Sequence, residues 1–232
     1  MNVWFEEVNG CPVHREGTHS EWLKFEYSQW IKALQESTVH NFKEHPQVQR
    51  MLSEDINPSL FRHLYYLQHQ LLAIDNVGRE VMKPVSGACL RMAHYALKVL
   101  ETGCKSIVEI GGGVGQFYAV LKILGYDGEY GIIDLPEVMK FQREYLDEVE
   151  KRTGLTLPLV QAKQPDMVVS FYALGEFDDE TKAKYLPLIQ SVPHGLILWN
   201  PHSGASSDIP FECNIDDENP KTGNENVKTL TW

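Results

Sequence analysis

A chain of 232 residues with 43% hydrophobic and 23% charged side chains is long enough to bury its own core and lies far from disordered or fibrous compositions. Its 21 Lys and Arg against 32 Asp and Glu give a formal charge of −11, a field that repels polyanions and argues against nucleic acid as a partner. A basic-then-apolar leader is missing at the start, and no run approaches the roughly 18 apolar residues that span a bilayer, so the expectation is a soluble, cytoplasmic protein without a membrane partner.

The N-terminal part reads as mostly helical. Between Glu21 and Ile74 apolar residues recur at helical spacing, first Trp22, Leu23, Phe25, Trp30, Ile31 and Leu34, then Leu60, Leu64, Leu67 and Leu71. Asn57-Pro58-Ser59 supplies a cap and a first-turn proline, which predicts a helix over about 58–74. "DNVGREVMKPVSG" breaks the pattern, so the chain divides into a helical region, 1–85, and a second unit, 86–232. The helical region could cap a site, form a homodimer contact or simply pack. A further helix over 89–101 closes at Thr102-Gly103.

Beyond it, short apolar runs alternate with helical or turn-rich segments. Strands are predicted at 106–110, 130–135, 157–161, 166–172 and 195–200, and helices at 115–125, 136–153 and 179–191. That alternation implies an α/β fold whose parallel sheet is covered on both faces. "IPFECNI" and "VKTLTW", joined by a polar connection, suit an antiparallel C-terminal strand pair. Cys11, Cys89, Cys104 and Cys213 lack paired short spacings and read as reduced core thiols. Cys11, His14 and His19 have a spacing that could supply three zinc ligands, but no fourth is in view and no metal is predicted.

The segment "SIVEIGGGVGQF" is the most informative in the chain. Glu109 ends a strand, Gly111, Gly113 and Gly115 follow at alternate positions, and Gln116 opens a helix, so a ligand can approach backbone N–H groups closely. A dinucleotide fingerprint would need glycine where Gln116 stands, and an anion at Glu109 would repel pyrophosphate. A carboxylate there suits a ligand bearing a cationic group. A second acid, Asp134, ends the next strand 25 residues later, where an acid can accept hydrogen bonds from a ribose diol.

On these residues the sequence resembles the class I S-adenosylmethionine-dependent methyltransferases, whose first motif is an acid followed by G-x-G-x-G. "VEIGGGVGQ", "IIDLPEV", "DMVVSFYALGEF" and "GLILWNP" together look like a family of proposed sugar O-methyltransferases, over about residues 86–201. The D-L-P element also occurs in phenolic O-methyltransferases. The resemblance implies a Rossmann-like sheet, S-adenosylmethionine as cofactor and a small-molecule or glycan acceptor. Glu109 would hold the methionine amine through water, Asp134 and the adjoining Leu135 would border the ribose, and Gln161 and Ala162 would lie near adenine. The sequence departs from the pattern there, because Gln161-Ala162-Lys163 contains no acid.

Methyl transfer is an in-line displacement at a sulfonium carbon, driven largely by alignment, and an alcohol acceptor must also lose a proton. Groups at the carboxyl ends of parallel strands are placed for this, which selects Tyr172, Glu176 and Phe177 after the fourth strand and Asn200, Pro201 and His202 after the fifth. Glu176 and His202 are the candidate bases, Glu176 also being able to orient a sugar diol. Tyr172, Trp199 and Asn200 are candidate acceptor contacts, with core packing as the other reading of the aromatics. Glu176 and Asp178-Asp179 could instead bind magnesium, or form an acidic first turn of the following helix. A non-catalytic interaction module on the same fold is a further alternative. A nucleic acid or protein nitrogen acceptor is disfavoured by the charge and by the lack of an Asn/Asp-Pro-Pro-Tyr/Phe element.

Overall fold

The computed structural model describes residues 7–8, 11–12, 27–46, 48–49, 62, 64, 66–160, 162, 164–201, 208–221 and 226–232. Glu7–Val8 and Cys11–Pro12 pair as a two-residue antiparallel ladder. Helices α1 (Tyr27–Glu36), α2 (Gln68–Asp75) and α3 (Gly87–Glu101) precede a six-stranded sheet. The sheet comprises β1 (Ser106–Ile110), β2 (Glu129–Ile133), β3 (Met167–Phe171), β4 (His194–Trp199), β5 (Asn214–Asp217) and β6 (Lys228–Thr231). Between strands come α4 (Gln116–Ile123), α5 (Pro136–Thr153), the single turn α6 (Ala173–Glu176) and α7 (Asp179–Ser191).

Strand order is β2-β1-β3-β4-β6-β5; β1 to β4 are parallel and β6 is antiparallel to both β4 and β5. Chain order therefore reverses at β1, with β2 on one side and β3 on the other, and the carboxyl ends of β1 and β3 border a crevice. This is the expected Rossmann-like sheet with its antiparallel C-terminal pair.

Alternation along the strands sorts side chains between two cores. Ile107, Tyr130, Ile132, Val169, Phe171, Leu196 and Leu198 face α3, α4 and α5, whereas Val108, Ile110, Ile133, Val168, Ile197 and Trp199 face α7. Residues from the helical N-terminal region, among them Ala33, Leu34, Phe42, Leu71 and Ile74, join the first core directly. A buried ion pair ties the same region to α3. Lys43 Nζ donates to the Asp75 carbonyl at 2.7 Å and lies 3.3 Å from Asp75 Oδ1, while Ser86 N and Oγ donate to the Asp75 carboxylate at 2.8 and 3.0 Å. Ser86 Oγ in turn accepts from Cys89 N, capping α3. Burial pushes the Lys43 ammonium below its usual range, and the Asp75 charge opposes that shift.

Local signals set several boundaries. α5 starts on Pro136 and stops at Gly154, whose φ of 72° is left-handed, and Asp178 Oδ1 caps α7 by accepting from Thr181 N at 2.7 Å. Two expectations are corrected. The helix predicted over 58–74 is α-helical only from Gln68 within the described residues; positions 58–61, 63 and 65 lie outside them. Residues 157–160 of the predicted strand 157–161 are not a strand. Their backbone groups are taken by side chains: Leu157 N donates to Glu150 Oε1, Leu157 O accepts from Arg143, and Pro158 O accepts from Tyr118 Oη. Val160 N donates to Tyr130 O at 2.9 Å, which leans the segment against β2.

Candidate functional site

The glycine loop leaves β1 and crosses the crevice before α4. Gly111, Gly113 and Gly115 have φ of 73°, 55° and 85°. The requirement is most severe at Gly111, where a Cβ would stand 2.2 Å from Ala173 Cβ, just beyond β3. At Gly112 a Cβ would meet Glu109 Oε2 at 2.8 Å, so the bare loop lies directly on the carboxylate.

Glu109 is 2% exposed and faces the α3–α5 side with Ile107 and Tyr130. Tyr130 Oη donates to Glu109 Oε2 at 2.8 Å, and the Tyr130 ring stacks on Tyr118 with centroids 4.4 Å apart. Burial pushes the Glu109 carboxyl up to about 8; the Tyr130 hydrogen bond opposes this and the Asp134 charge adds to it. The crevice thus holds a proton-bearing acid that a cation would ionise.

Asp134 closes the other side. Its Oδ2 accepts from Gly113 N at 2.7 Å and its Oδ1 from Leu135 N at 2.8 Å, which fixes the glycine loop to the start of α5. Burial raises its carboxyl to about 6 against these two bonds. Gln142, 1% exposed on α5, donates from Nε2 to Gly113 O at 2.7 Å. Sequence reasoning missed Gln142; its signal is an amide set between Val138, Phe141, Tyr145 and Leu146 on the apolar stripe of α5.

The structure brings Glu109, Gly111, Gly113, Gly115, Gln116, Asp134 and Leu135 to one edge. Ala162 is buried beside Gly131 of β2, and Gln161 lies outside the described residues. At the neighbouring edge, Asn200 Nδ2 donates to Glu176 Oε1 at 3.0 Å, and Gly175 is pressed so near the Asn200 backbone that a Cβ would sit 2.6 Å from its N. His202 lies outside the described residues. Trp199 does not offer a stacking face: it is 1% exposed, because alternation along β4 turns it to the α7 side, where Lys182 Nζ lies 5.0 Å from its ring centroid. Asp178 is occupied as a helix cap and Asp179 pairs with Lys182 at 3.7 Å, so the acidic cluster serves the first turn of α7. Among the described residues no group of three or more His, Cys, Asp or Glu is placed to hold a metal ion, and no helix is long and apolar enough to cross a membrane. His14 and His19 lie outside the described residues.

Tyr172 begins the turn after β3 with φ of 69°, a left-handed conformation unusual for a residue with a side chain. Its Oη donates to Glu218 Oε1 at 2.6 Å and accepts from Arg91 Nη1 at 3.0 Å. Arg91 and Glu218 were not among the sequence candidates. Arg91 sits one helical turn before Tyr95 on the buried face of α3, a detectable signal; Glu218 ends the acidic run Asp216-Asp217-Glu218 and gives none.

The sheet order, the bare loop and the two carboxyls flanking it define a Rossmann-like crevice with an acid on each side of a glycine loop. No family model matches the sequence, and no curated protein matches it. Solved structures are similar at low identity. A SAM-dependent methyltransferase from Aquifex aeolicus is 12% identical with a TM-score of 0.41, over 76% of this chain and 98% of the other. A proposed O-methyltransferase from Klebsiella pneumoniae is 16% identical with a TM-score of 0.47, over 79% and 98%. The methyltransferase domain of bacterial CtHen1 is 13% identical with a TM-score of 0.36, over 46% of this chain and 63% of that domain, so the chain spans less than two thirds of it. The fold class rests on the sheet order and register of this chain.

Proposed function

We propose that the protein is an S-adenosylmethionine-dependent O-methyltransferase that methylates a hydroxyl of a small molecule, a sugar or glycan being the favoured class. The observation that carries this reading is the placement of Glu109 and Asp134 on opposite sides of one glycine loop, the first beneath Gly112 and the second bonded to Gly113 N. Glu109 suits the ammonium of the methionine part, directly or through water, since ionising this buried acid needs a cation nearby. Asp134 uses one lone pair of each oxygen on the backbone and keeps another on each for the two ribose hydroxyls. A pyrophosphate in place of that ligand would meet two acids.

The bound cofactor would supply an electrophilic methyl group on sulfur. The chain's own contribution is to hold the nucleoside across the loop and to orient the acceptor at the carboxyl ends of β3 and β4, where Glu176, fixed by Asn200, can accept hydrogen bonds from a diol. A calorimetric titration with S-adenosylmethionine, S-adenosylhomocysteine and NAD tests the class. Binding of the first two alone is expected. Binding of NAD, or of none, would overturn it.

A further inference from the structure

Three polar side chains meet at the carboxyl edge without a part in cofactor binding. Arg91 comes from α3, Tyr172 from the end of β3, and Glu218 from the residue after β5, which runs parallel to β4 through its antiparallel partner β6 and so ends at the same edge. Arg91 and Glu218 are 1% and 2% exposed, whereas Tyr172 is partly exposed, so Tyr172 is the residue of the trio that reaches the surroundings. Its backbone also adjoins the glycine loop, since Ala173, the next residue, is the one a Cβ at Gly111 would strike.

The backbone at Tyr172 is strained, as a non-glycine residue with φ of 69°, and such strain is retained where surrounding bonds over-determine it. Here the bonds are those of the phenol. Its oxygen donates one proton to Glu218 and accepts one bond from Arg91, which leaves one lone pair for a third partner. A group donating into that lone pair would be in line with a carboxylate one bond further on.

We infer that Tyr172 is the acceptor-facing member of a proton relay, receiving the hydroxyl proton of the methyl acceptor while passing its own proton to Glu218, with Arg91 holding the phenol in register. The inference rests on the methyltransferase reading above. The step balances: the bond between sulfur and methyl breaks, its electron pair staying on sulfur to give the neutral thioether. The acceptor oxygen forms the new bond to carbon, and its proton moves to Tyr172 Oη as the Tyr172 proton moves to the Glu218 carboxylate. The positive charge of the sulfonium thus reappears as a proton on Glu218. At rest the phenol keeps its proton, because burial pushes its pKa well above the ordinary range.

The test compares the wild-type full chain with Tyr172→Phe and Glu218→Gln. Glu218→Gln retains an acceptor for the phenol but cannot take up a proton. Methyl transfer from methyl-tritiated S-adenosylmethionine is followed with D-fucose, UDP-glucose and catechol as probes, alongside calorimetric cofactor binding and thermal melting. Both variants are expected to lose about 100- to 1,000-fold in kcat, the range of a lost acid–base group, with KM and cofactor Kd within about threefold of wild type. A variant retaining more than a tenth of kcat would overturn the relay. So would a parallel loss of cofactor affinity or fold in both variants, which would make the trio a structural clamp. Transfer to none of the three probes by a protein that binds S-adenosylmethionine also counts against it, whereas failure to bind the cofactor at all defeats the underlying reading instead.

Discussion

Glu109→Gln separates two consequences of one buried acid. In the folded protein the carboxyl is pushed up to about 8, whereas in the unfolded chain it ionises near the ordinary value of about 4.3. Between those values the folded state holds a proton that the unfolded state releases, so the Glu109 contribution to stability falls as pH rises through the window. The slope approaches about 1.4 kcal/mol per pH unit, and integration from pH 6 to pH 8 gives a loss of about 2 kcal/mol. The amide that replaces the carboxyl in the variant does not titrate. The wild type should therefore lose about 4–8 °C of Tm relative to the variant over that range, from the usual scaling for a chain of this size. Asp134, also raised, to about 6, titrates in both proteins, so the difference between them reports Glu109 together with its coupling to Asp134. The ligand should show the opposite preference. S-adenosylmethionine binding to the wild type at pH 7 should release close to one proton, seen by calorimetry in buffers of different ionisation enthalpy. The variant should bind about 10- to 100-fold more weakly without that release, the value of a hydrogen bond to a charged group. A Tm difference that does not change with pH, or undiminished binding by the variant, would refute the assignment of Glu109 as the buried, ligand-ionised acid.

Two further predictions test the frame around the site. Gly111→Ala adds a Cβ 2.2 Å from Ala173 at a φ of 73°, so a loss of about 2 kcal/mol or more in urea unfolding is expected, with cofactor binding lost even where the fold survives. Lys43→Met leaves Asp75 buried without its ammonium and should cost about 3–5 kcal/mol in the same assay. A near-neutral result there would mean that the Ser86 bonds and the Arg79 guanidinium, 3.9 Å from Asp75 Oδ2, suffice for the carboxylate.

Much of the glycine-loop edge was legible because its signals are local. An acid two residues before a run of glycines, Pro136 opening a helix and Gly154 closing it, and Asp178 before α7 each act within a few residues, where backbone geometry leaves few choices. The alternation of apolar runs and helices likewise implied the parallel sheet, since such strands need helices on both faces. The neighbouring edge, at the ends of β3 and β4, was less legible. Trp199 looked available at a strand end, yet strand alternation sends it under α7, and a pattern of apolar residues does not say which face a later helix will cover. The run 157–161 had the composition of a strand, but Glu150, Arg143 and Tyr118 compete for the backbone groups at Leu157 and Pro158.

From the amino-acid order alone came the class of fold, the glycine turn and the two acids flanking it, because strand ends and tight turns are written in short-range chemistry. Only the folded chain decided that Glu109 would lie in a desolvated pocket under Tyr130, that Gln142 would hold the glycine loop, and that Arg91, Tyr172 and Glu218 would converge. Arg91 and Tyr172 are 81 residues apart, and Tyr172 and Glu218 are 46 apart. Contacts of that separation are set by sheet order and packing, which bring distant polar groups out of water together and thereby fix their partners.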